Sequence, residues 1–216
     1  FRHNNNSIRE YIRNFIMSTL ETNLIQPSTG TTLTVGASGD TIDIPSGATF
    51  DVTGATVTGL SAGITMAEQW RLATTLSCSS TNTNVDVTAN LEKVDTNSPG
   101  TIGSSMSESS GIFTFPSTGI YLILSNYLFY SGSATSQYSG LLTRATTDNS
   151  SYSYATENYV GIVSNYNNGS SSFIFDVTDT STHKIKFTYF TQAAVDLRGN
   201  TSNNTTSFSF IRLGDT

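Results

Sequence analysis

From Ile64 to the C-terminus, apolar and polar residues alternate in short runs, and each run stops at Gly, Ser, Asn or Pro. That period of two is the strongest constraint on the chain, because successive side chains of a strand point to opposite faces while a helix needs a period near 3.6. Lys184-Ile185-Lys186-Phe187-Thr188-Tyr189 puts Ile185, Phe187 and Tyr189 on one side and the polar residues on the other. Phe173, Phe175 and Val177 do the same, as do Phe208 and Phe210. Turn-bounded segments are expected at Gln69–Leu76, Val85–Val94, Gly111–Pro116, Gly119–Tyr130, Tyr138–Arg144, Tyr152–Val163, Ser171–Val177, Lys184–Thr191 and Thr205–Leu213. About nine or ten strands with no helical stretch between them predict an all-β, two-sheet sandwich or jelly roll.

Composition narrows the function. Only 12% of the 216 residues are charged and the formal net charge is −6. Phosphate binding needs clustered Lys and Arg, whereas this chain has three lysines, Lys93, Lys184 and Lys186; no nucleic-acid partner is expected. No apolar run approaches the ~18 residues of a membrane span, so no membrane insertion is expected. With Cys78 the single cysteine, an intrachain disulfide cannot form.

The front of the chain reads differently. Residues 1–16 hold three of the ten basic residues and no Gly, Thr or Pro. One reading makes Met17 the true start and the upstream stretch untranslated sequence. The other is an amphipathic helix with Ile8, Tyr11, Ile12, Phe15 and Ile16 on one side. Residues 17–63 form an attachment segment followed by a repeat. Thr32-Leu33-Thr34-Val35-Gly36, Thr41-Ile42-Asp43-Ile44-Pro45, Thr49-Phe50-Asp51-Val52 and Thr56-Val57-Thr58-Gly59 share a Thr-apolar-polar-apolar core separated by Gly or Ser-Gly turns. Strands this short bury too little on their own and gain a core by stacking or by winding several chains together. The repeat is therefore read as a trimeric β shaft, with four hairpin strands of the next domain as the alternative. Gly59–Gly63 is the expected linker and 64–216 the head.

Within the head, Gly111-Ile112-Phe113-Thr114-Phe115-Pro116-Ser117-Thr118-Gly119-Ile120-Tyr121-Leu122-Ile123 resembles the core signature of C1q/TNF-like domains. Pro116 stands where a missing N–H costs no ladder bond, and Gly119 lets the chain reverse into a long strand. Further stretches, Glu68–Leu72, Asn90–Asp95, Gly100–Gly103, Glu108–Gly111 and Ile211–Gly214, are similar in kind and order to C1q-like virion structural and tail fibre proteins of marine bacteriophages. The shaft sequence from Gly39 to Gly59 is likewise similar to repeats that precede phage fibre heads. The resemblance covers Met17 onward. It lacks the collagen stalk of animal C1q proteins, so complement or hormone functions are not implied.

No catalytic residue is expected. His183 is the one histidine outside residues 1–16 and lies in a turn entering a strand; Cys78 has no histidine near it in sequence. An enzyme is not expected, nor any cofactor. Asp176-Val177-Thr178-Asp179 and Thr147-Asp148-Asn149 could offer oxygens to calcium, but Asx turns account for both equally well; no metal ligand is assigned. Six Asn-x-Ser/Thr sequons occur in a chain so rich in Ser and Thr that they carry no information. Tyr152, Tyr154, Tyr159 and Tyr166, set among Ser and Asn, have the chemistry of recognition loops. Tyr159, Tyr166, Asn167 and Asn168 are the candidate ligand-binding residues, the last three in a loop around Asn165–Ser172; the alternative places the tyrosines in the core or a subunit contact.

The resemblance implies a homotrimer, and Tyr189, Phe208 and Phe210 are the expected interface residues by analogy of strand position. The functional expectation is a trimeric phage fibre or spike head on the outside of a virion. It would bind a host surface glycan or protein and dock to other virion proteins through Met17–Pro27. Two alternatives are a capsid or tail decoration protein without a receptor, and a secreted bacterial adhesin or sugar-cleaving enzyme.

Overall fold

The structure is a computed structural model that describes residues 25–55, 63–79, 82–97, 99–132, 136–162 and 165–216. The expectations for residues 1–24, for the fourth repeat unit Thr56–Gly59 and for most of the Gly59–Gly63 linker lie outside the described residues. The chain divides into two units, Phe1–Thr58 and Gly59–Thr216.

In the first unit, residues 25–55 are a chain of tight turns. Asp40 N–H donates to the Ala37 carbonyl, Ala48 N–H to Pro45 and Ala55 N–H to Val52, each at 3.0 Å. The Asp40 and Asp51 carboxylates hold two of these turns by accepting from the N–H of Ala37 and Thr53 at 2.7 and 2.8 Å. The repeat is thus present as turns. The strands expected between them are absent from residues 25–55 of the single chain. Leu33, Val35, Ile42, Ile44 and Phe50 all stand in solvent, Phe50 at 69% exposure. The reason is elementary: a strand needs a neighbour for its hydrogen bonds and a surface for its apolar side, and one copy of this segment supplies neither.

The second unit is a sandwich of two antiparallel sheets. Its thirteen described strands are β1 Met66–Leu72, β2 Thr74–Cys78, β3 Thr83–Asp86, β4 Leu91–Lys93, β5 Ser107–Ser109, β6 Ile112–Thr114 and β7 Gly119–Ser131, then β8 Ser136–Thr146, β9 Ser153–Ile162, β10 Asn165–Val177, β11 Lys184–Thr191, β12 Val195–Asn200 and β13 Ser207–Gly214. Sheet one runs β2-β12-β7-β13-β1-β4 with β10 also on β7; sheet two runs β5-β6-β11-β8-β9 with β3 also on β11. Lys184–Thr191 and the long strand from Gly119 form where the alternation puts them. Two strands, β5 and β12, were not expected, and two expected segments each break into two strands. The Asn165–Ser172 stretch, read as a loop, is strand: it pairs with β7 from Asn165 opposite Ser131 to Val177 opposite Gly119.

The two signature glycines sit where side chains do not fit. Ser110 and Gly111 both have positive φ, 51° and 84°, which is the two-residue hairpin turn whose twist matches its strands. A Cβ on Gly111 would run into the Val87 carbonyl. Gly119, at φ 145°, opens β7 against the Arg212 side chain and the Gly214 carbonyl.

The core is aromatic. Phe113 makes an edge contact with Trp70 at 5.3 Å and with Phe187 at 5.7 Å, and packs on Phe210 at 5.1 Å. Phe187 stacks on Phe208 at 3.9 Å. This corrects the expected trimer contacts. Phe208 and Phe210 are 1% and 0% exposed within one chain, and Tyr189 is 7% exposed. All three are spent on the inner faces of the sandwich, so they present no apolar surface to a neighbour.

Two measurements follow from this packing. Phe208→Ala removes a ring held between both sheets and is expected to cost about 3–5 kcal/mol in chemical denaturation. A loss below about 1 kcal/mol would place the ring outside the core. A second concerns Asp86, whose Oδ2 accepts from Lys186 at 2.6 Å and Oδ1 from Thr188 at 2.7 Å. Burial pushes its pKa upward, but the Lys186 and Thr188 hydrogen bonds and the Lys186 and Arg144 charges outweigh it, and the carboxyl ends below its ordinary 3.8. A lowered folded pKa stabilises fully above the unfolded value and is lost as pH falls below it. Melting temperature is therefore expected to drop below about pH 4, with a shallower drop in Asp86→Asn; identical acid slopes would contradict this assignment.

Candidate functional site

The inner positions of β7 are Tyr121, Ile123, Ser125, Tyr127 and Phe129, all buried. Strand alternation then sends Ile120, Leu122, Leu124, Asn126, Leu128 and Tyr130 to the outer face of sheet one. Register extends that face sideways. On β10, Ile174 lies opposite Leu122, Ser172 opposite Leu124, Asn168 opposite Leu128 and Tyr166 opposite Tyr130. On β13, Ile211 lies opposite Leu122 and Ser209 opposite Leu124. Ile174 is 62% exposed and the leucines are half-buried. The result is an aliphatic strip with small residues beside it, open to solvent in the single chain.

Nearer β4, the same face is covered by the chain itself. Arg71 points outward from β1 yet is fully buried. Its Nε donates to Glu92 at 2.7 Å, one terminal nitrogen to Asp95 at 2.5 Å and the other to Thr96 at 2.8 Å. On the inner side of β1, the buried Glu68 carboxylate accepts from Trp70 Nε1 and Met106 N–H, both at 2.7 Å, and pairs with Lys93 at 3.4 Å.

The four candidate binding residues fall in three places. Tyr166 and Asn168 share the outer face of sheet one, where Tyr166 packs on Tyr130 at 4.9 Å. Asn167 lies opposite Phe129, an inward position, and so shares no surface with its neighbours. Tyr159 belongs to the outer face of sheet two. It meets Tyr138 at 5.2 Å and Phe190 at 5.9 Å, lies opposite Gly140, and donates its hydroxyl to Glu157 at 3.2 Å. Burial, with the Glu157 charge second, raises its pKa to about 12. The sandwich edge between these tyrosines is closed by polar side chains. Tyr127 donates to the Asn158 carbonyl and its Oδ1 at 2.8 Å, and Thr156 and Ser171 hydroxyls meet at 3.1 Å.

Residues missed in the sequence adjoin Tyr130. Beside it is a cavity of about 290 Å³ lined by Ser77, Ser79, Tyr130, Ala194, Val195 and Asp196, among others. Asp196 Oδ1 accepts from Ser77 Oγ at 3.1 Å, and the Arg198 guanidinium lies over the Tyr130 ring at 5.7 Å. The usable signal was Val195-Asp196-Leu197-Arg198, an alternation that puts Val195 and Leu197 in the core and the two charges outside.

The remaining titratable groups have structural work. Cys78 is buried, and burial pushes its thiol up to about 11, far from the thiolate a nucleophile needs. His183 is buried against Phe175, with Thr182 and Thr178 hydroxyls at 3.0 and 3.3 Å from its two nitrogens. Asp148 and Asp179 use their carboxylates on their own turns, Asp148 accepting from the N–H of Ser150 and Ser151 and Asp179 from that of Ser181. Among the described residues no cluster of His, Cys, Asp and Glu has metal-binding geometry.

No sequence-family model matches the chain, and no curated protein sequence does either. Similarity is found among solved structures. Murine APRIL at pH 8.0 superposes with a TM-score of 0.50 at 15% identity, covering 68% of this chain and 98% of that one. The TNF protein Eiger from S. frugiperda gives 0.52 at 12% identity, covering 71% and 95%. At such identities the likeness speaks to fold: the second unit is a TNF-like jelly roll.

Proposed function

We propose that the chain is a phage virion protein, a homotrimeric fibre or spike head that sits on the outside of the particle and binds the host cell surface. The supporting observation is the open aliphatic strip of sheet one, Ile120, Leu122, Leu124 and Leu128 with Ile174 and Ile211 beside it. Burial of apolar area is the main favourable term in association, and exposed apolar strips with polar surroundings mark interaction sites. The occupant is a second and third copy of this chain, since a closed ring of identical subunits covers every such strip and leaves none for uncontrolled growth. The Thr- and Gly-rich repeat supports the same reading: its apolar residues have nothing to pack on in one chain. The virion placement rests on the order of motifs shared with C1q-like phage proteins. In this reading Met17–Pro27 docks to other virion proteins, and the three heads act together, so that weak single contacts become firm attachment through effective concentration.

The test uses the full chain. Sedimentation in dilute solution is expected to give a three-chain mass, and Leu124→Asp a single-chain mass with the β-sheet circular dichroism kept. The wild-type protein is also expected to block adsorption of the parent phage, and the Leu124→Asp protein to block about a hundredfold less well or worse. A folded single chain for the wild type, or a three-chain mass for Leu124→Asp, would overturn the assembly; full adsorption in excess wild-type protein would overturn the attachment role.

A further inference from the structure

The outer face of sheet one changes character along β7. Up to Leu128 the outward positions are aliphatic or small, apart from Asn126. At the next outward position stands Tyr130, with aromatic, charged and hydroxylated side chains gathered around it. Tyr166 packs on one side of the ring at 4.9 Å, the Arg198 guanidinium reaches it at 5.7 Å, and the cavity with Ser77, Ser79 and Asp196 opens beside it. We infer that this end of the sheet is a carbohydrate subsite that holds one neutral sugar unit. The inference rests on the reading of the head as a surface-binding module and names the ligand class that module would take.

Three observations carry it. The first is shape. Ligand cavities span roughly 300–1,000 Å³, and at about 290 Å³ this one lies at the lower limit, enough for a single ring and too small for a buried oligosaccharide. The second is the pairing of a flat ring with polar groups. A sugar has an apolar face of C–H bonds and a rim of hydroxyls; the Tyr130 ring, on the cavity wall, offers the matching flat surface. It is held by the tilted Tyr166 ring packed against it at 4.9 Å, so little rotamer freedom is lost on binding.

The third observation is acceptor geometry. Asp196 Oδ1 is already engaged by Ser77 Oγ at 3.1 Å, while Oδ2 has Arg198 at 3.9 Å, too long for a hydrogen bond. The carboxylate therefore keeps acceptor capacity directed at the cavity, where two adjacent sugar hydroxyls can donate to it. Hydrogen bonds to a charged acceptor are stronger than neutral ones. Asp196 and Arg198, an ion pair at 3.9 Å, leave the site without a net positive charge to select a carboxylated or sulfated sugar, so the ligand is neutral.

Methyl glycosides of mannose, galactose and glucose, with N-acetylneuraminic acid as the anionic comparison, are titrated into the full-length protein and followed by saturation-transfer NMR. At least one neutral glycoside is expected to bind with a Kd of about 1–10 mM. Asp196→Ala and Tyr130→Ala are each expected to weaken it about tenfold or more, with Tyr154→Ala, on the other sheet, unchanged. Asp196→Asn, which keeps an acceptor for Ser77, is expected to fold normally and bind weakly. No binding by any neutral glycoside, binding unchanged in Asp196→Asn and Tyr130→Ala, or a preference for N-acetylneuraminic acid would each overturn the subsite. If the subsite fails while the three-chain mass and adsorption block persist, the head reading survives. If both of those are lost, the head reading itself is wrong.

Discussion

The Phe113 ring joins the two sheets. It comes from a three-residue strand of sheet two, β6, and it meets Trp70 of β1, Phe187 of β11 and Phe210 of β13. Edge-on and tilted aromatic pairs contribute about 0.5–1.5 kcal/mol each beyond the area they bury, and here several share one ring. This packing fixes more than stability. A one-residue slip of a strand turns every side chain to the other face. Pinning Phe208 and Phe210 inward on β13, and Tyr121, Ile123 and Phe129 inward on β7, therefore decides which residues face out. Leu122, Leu124, Leu128 and Tyr130 are a surface because their neighbours in sequence are a core.

That dependence also explains what was legible in the sequence. Lys184–Thr191 could be read to the residue because its two faces differ sharply. The stretch Gly119–Tyr130 was visible as a strand but not as an orientation, since it is apolar at nearly every position and alternation cannot separate inside from outside. The expectation that Phe208 and Phe210 face a neighbouring subunit failed for the same reason: periodicity says that they share a face, and only the partner sheet says which. Asn165–Ser172 looked like a loop because neither side is apolar. It is an edge strand on whose inward side the Ser171 hydroxyl meets that of Ser125 at 2.8 Å, a contact between residues 46 apart in sequence. Tyr159 and Tyr166 were grouped by proximity along the chain, whereas β9 belongs to sheet two and β10 to sheet one, which parts them.

Buried charge sets the limits of the open face. Arg71, enclosed by Glu92, Asp95 and Thr96, anchors the segment after β4 across the β1 side of sheet one. A guanidinium with three oxygen partners meets the condition under which a buried cation is tolerated. Glu68 fixes Met106 and Lys93 on the inner side of the same strand. Together the two charges fasten short, weakly apolar segments that could not hold their own position by burial, and they cover the β1 side of the face beside the aliphatic strip of β7, β10 and β13.

A division of labour along that surface follows from its chemistry. Aliphatic side chains are non-directional and gain from any apolar cover, which suits contact between copies of one chain. A tyrosine pair beside a carboxylate gains only from a ligand that places hydroxyls correctly, because the polar groups lose water on binding and must be repaid in kind. The change from one to the other occurs between Leu128 and Tyr130, adjacent outward positions of one strand. In the proposed assembly this places each sugar subsite at the margin of the self-association surface, so the contacts that gather three copies also bring three subsites together. A single subsite of this size and openness would release its ligand quickly; three held on one rigid head need not be tight to keep a particle on a cell.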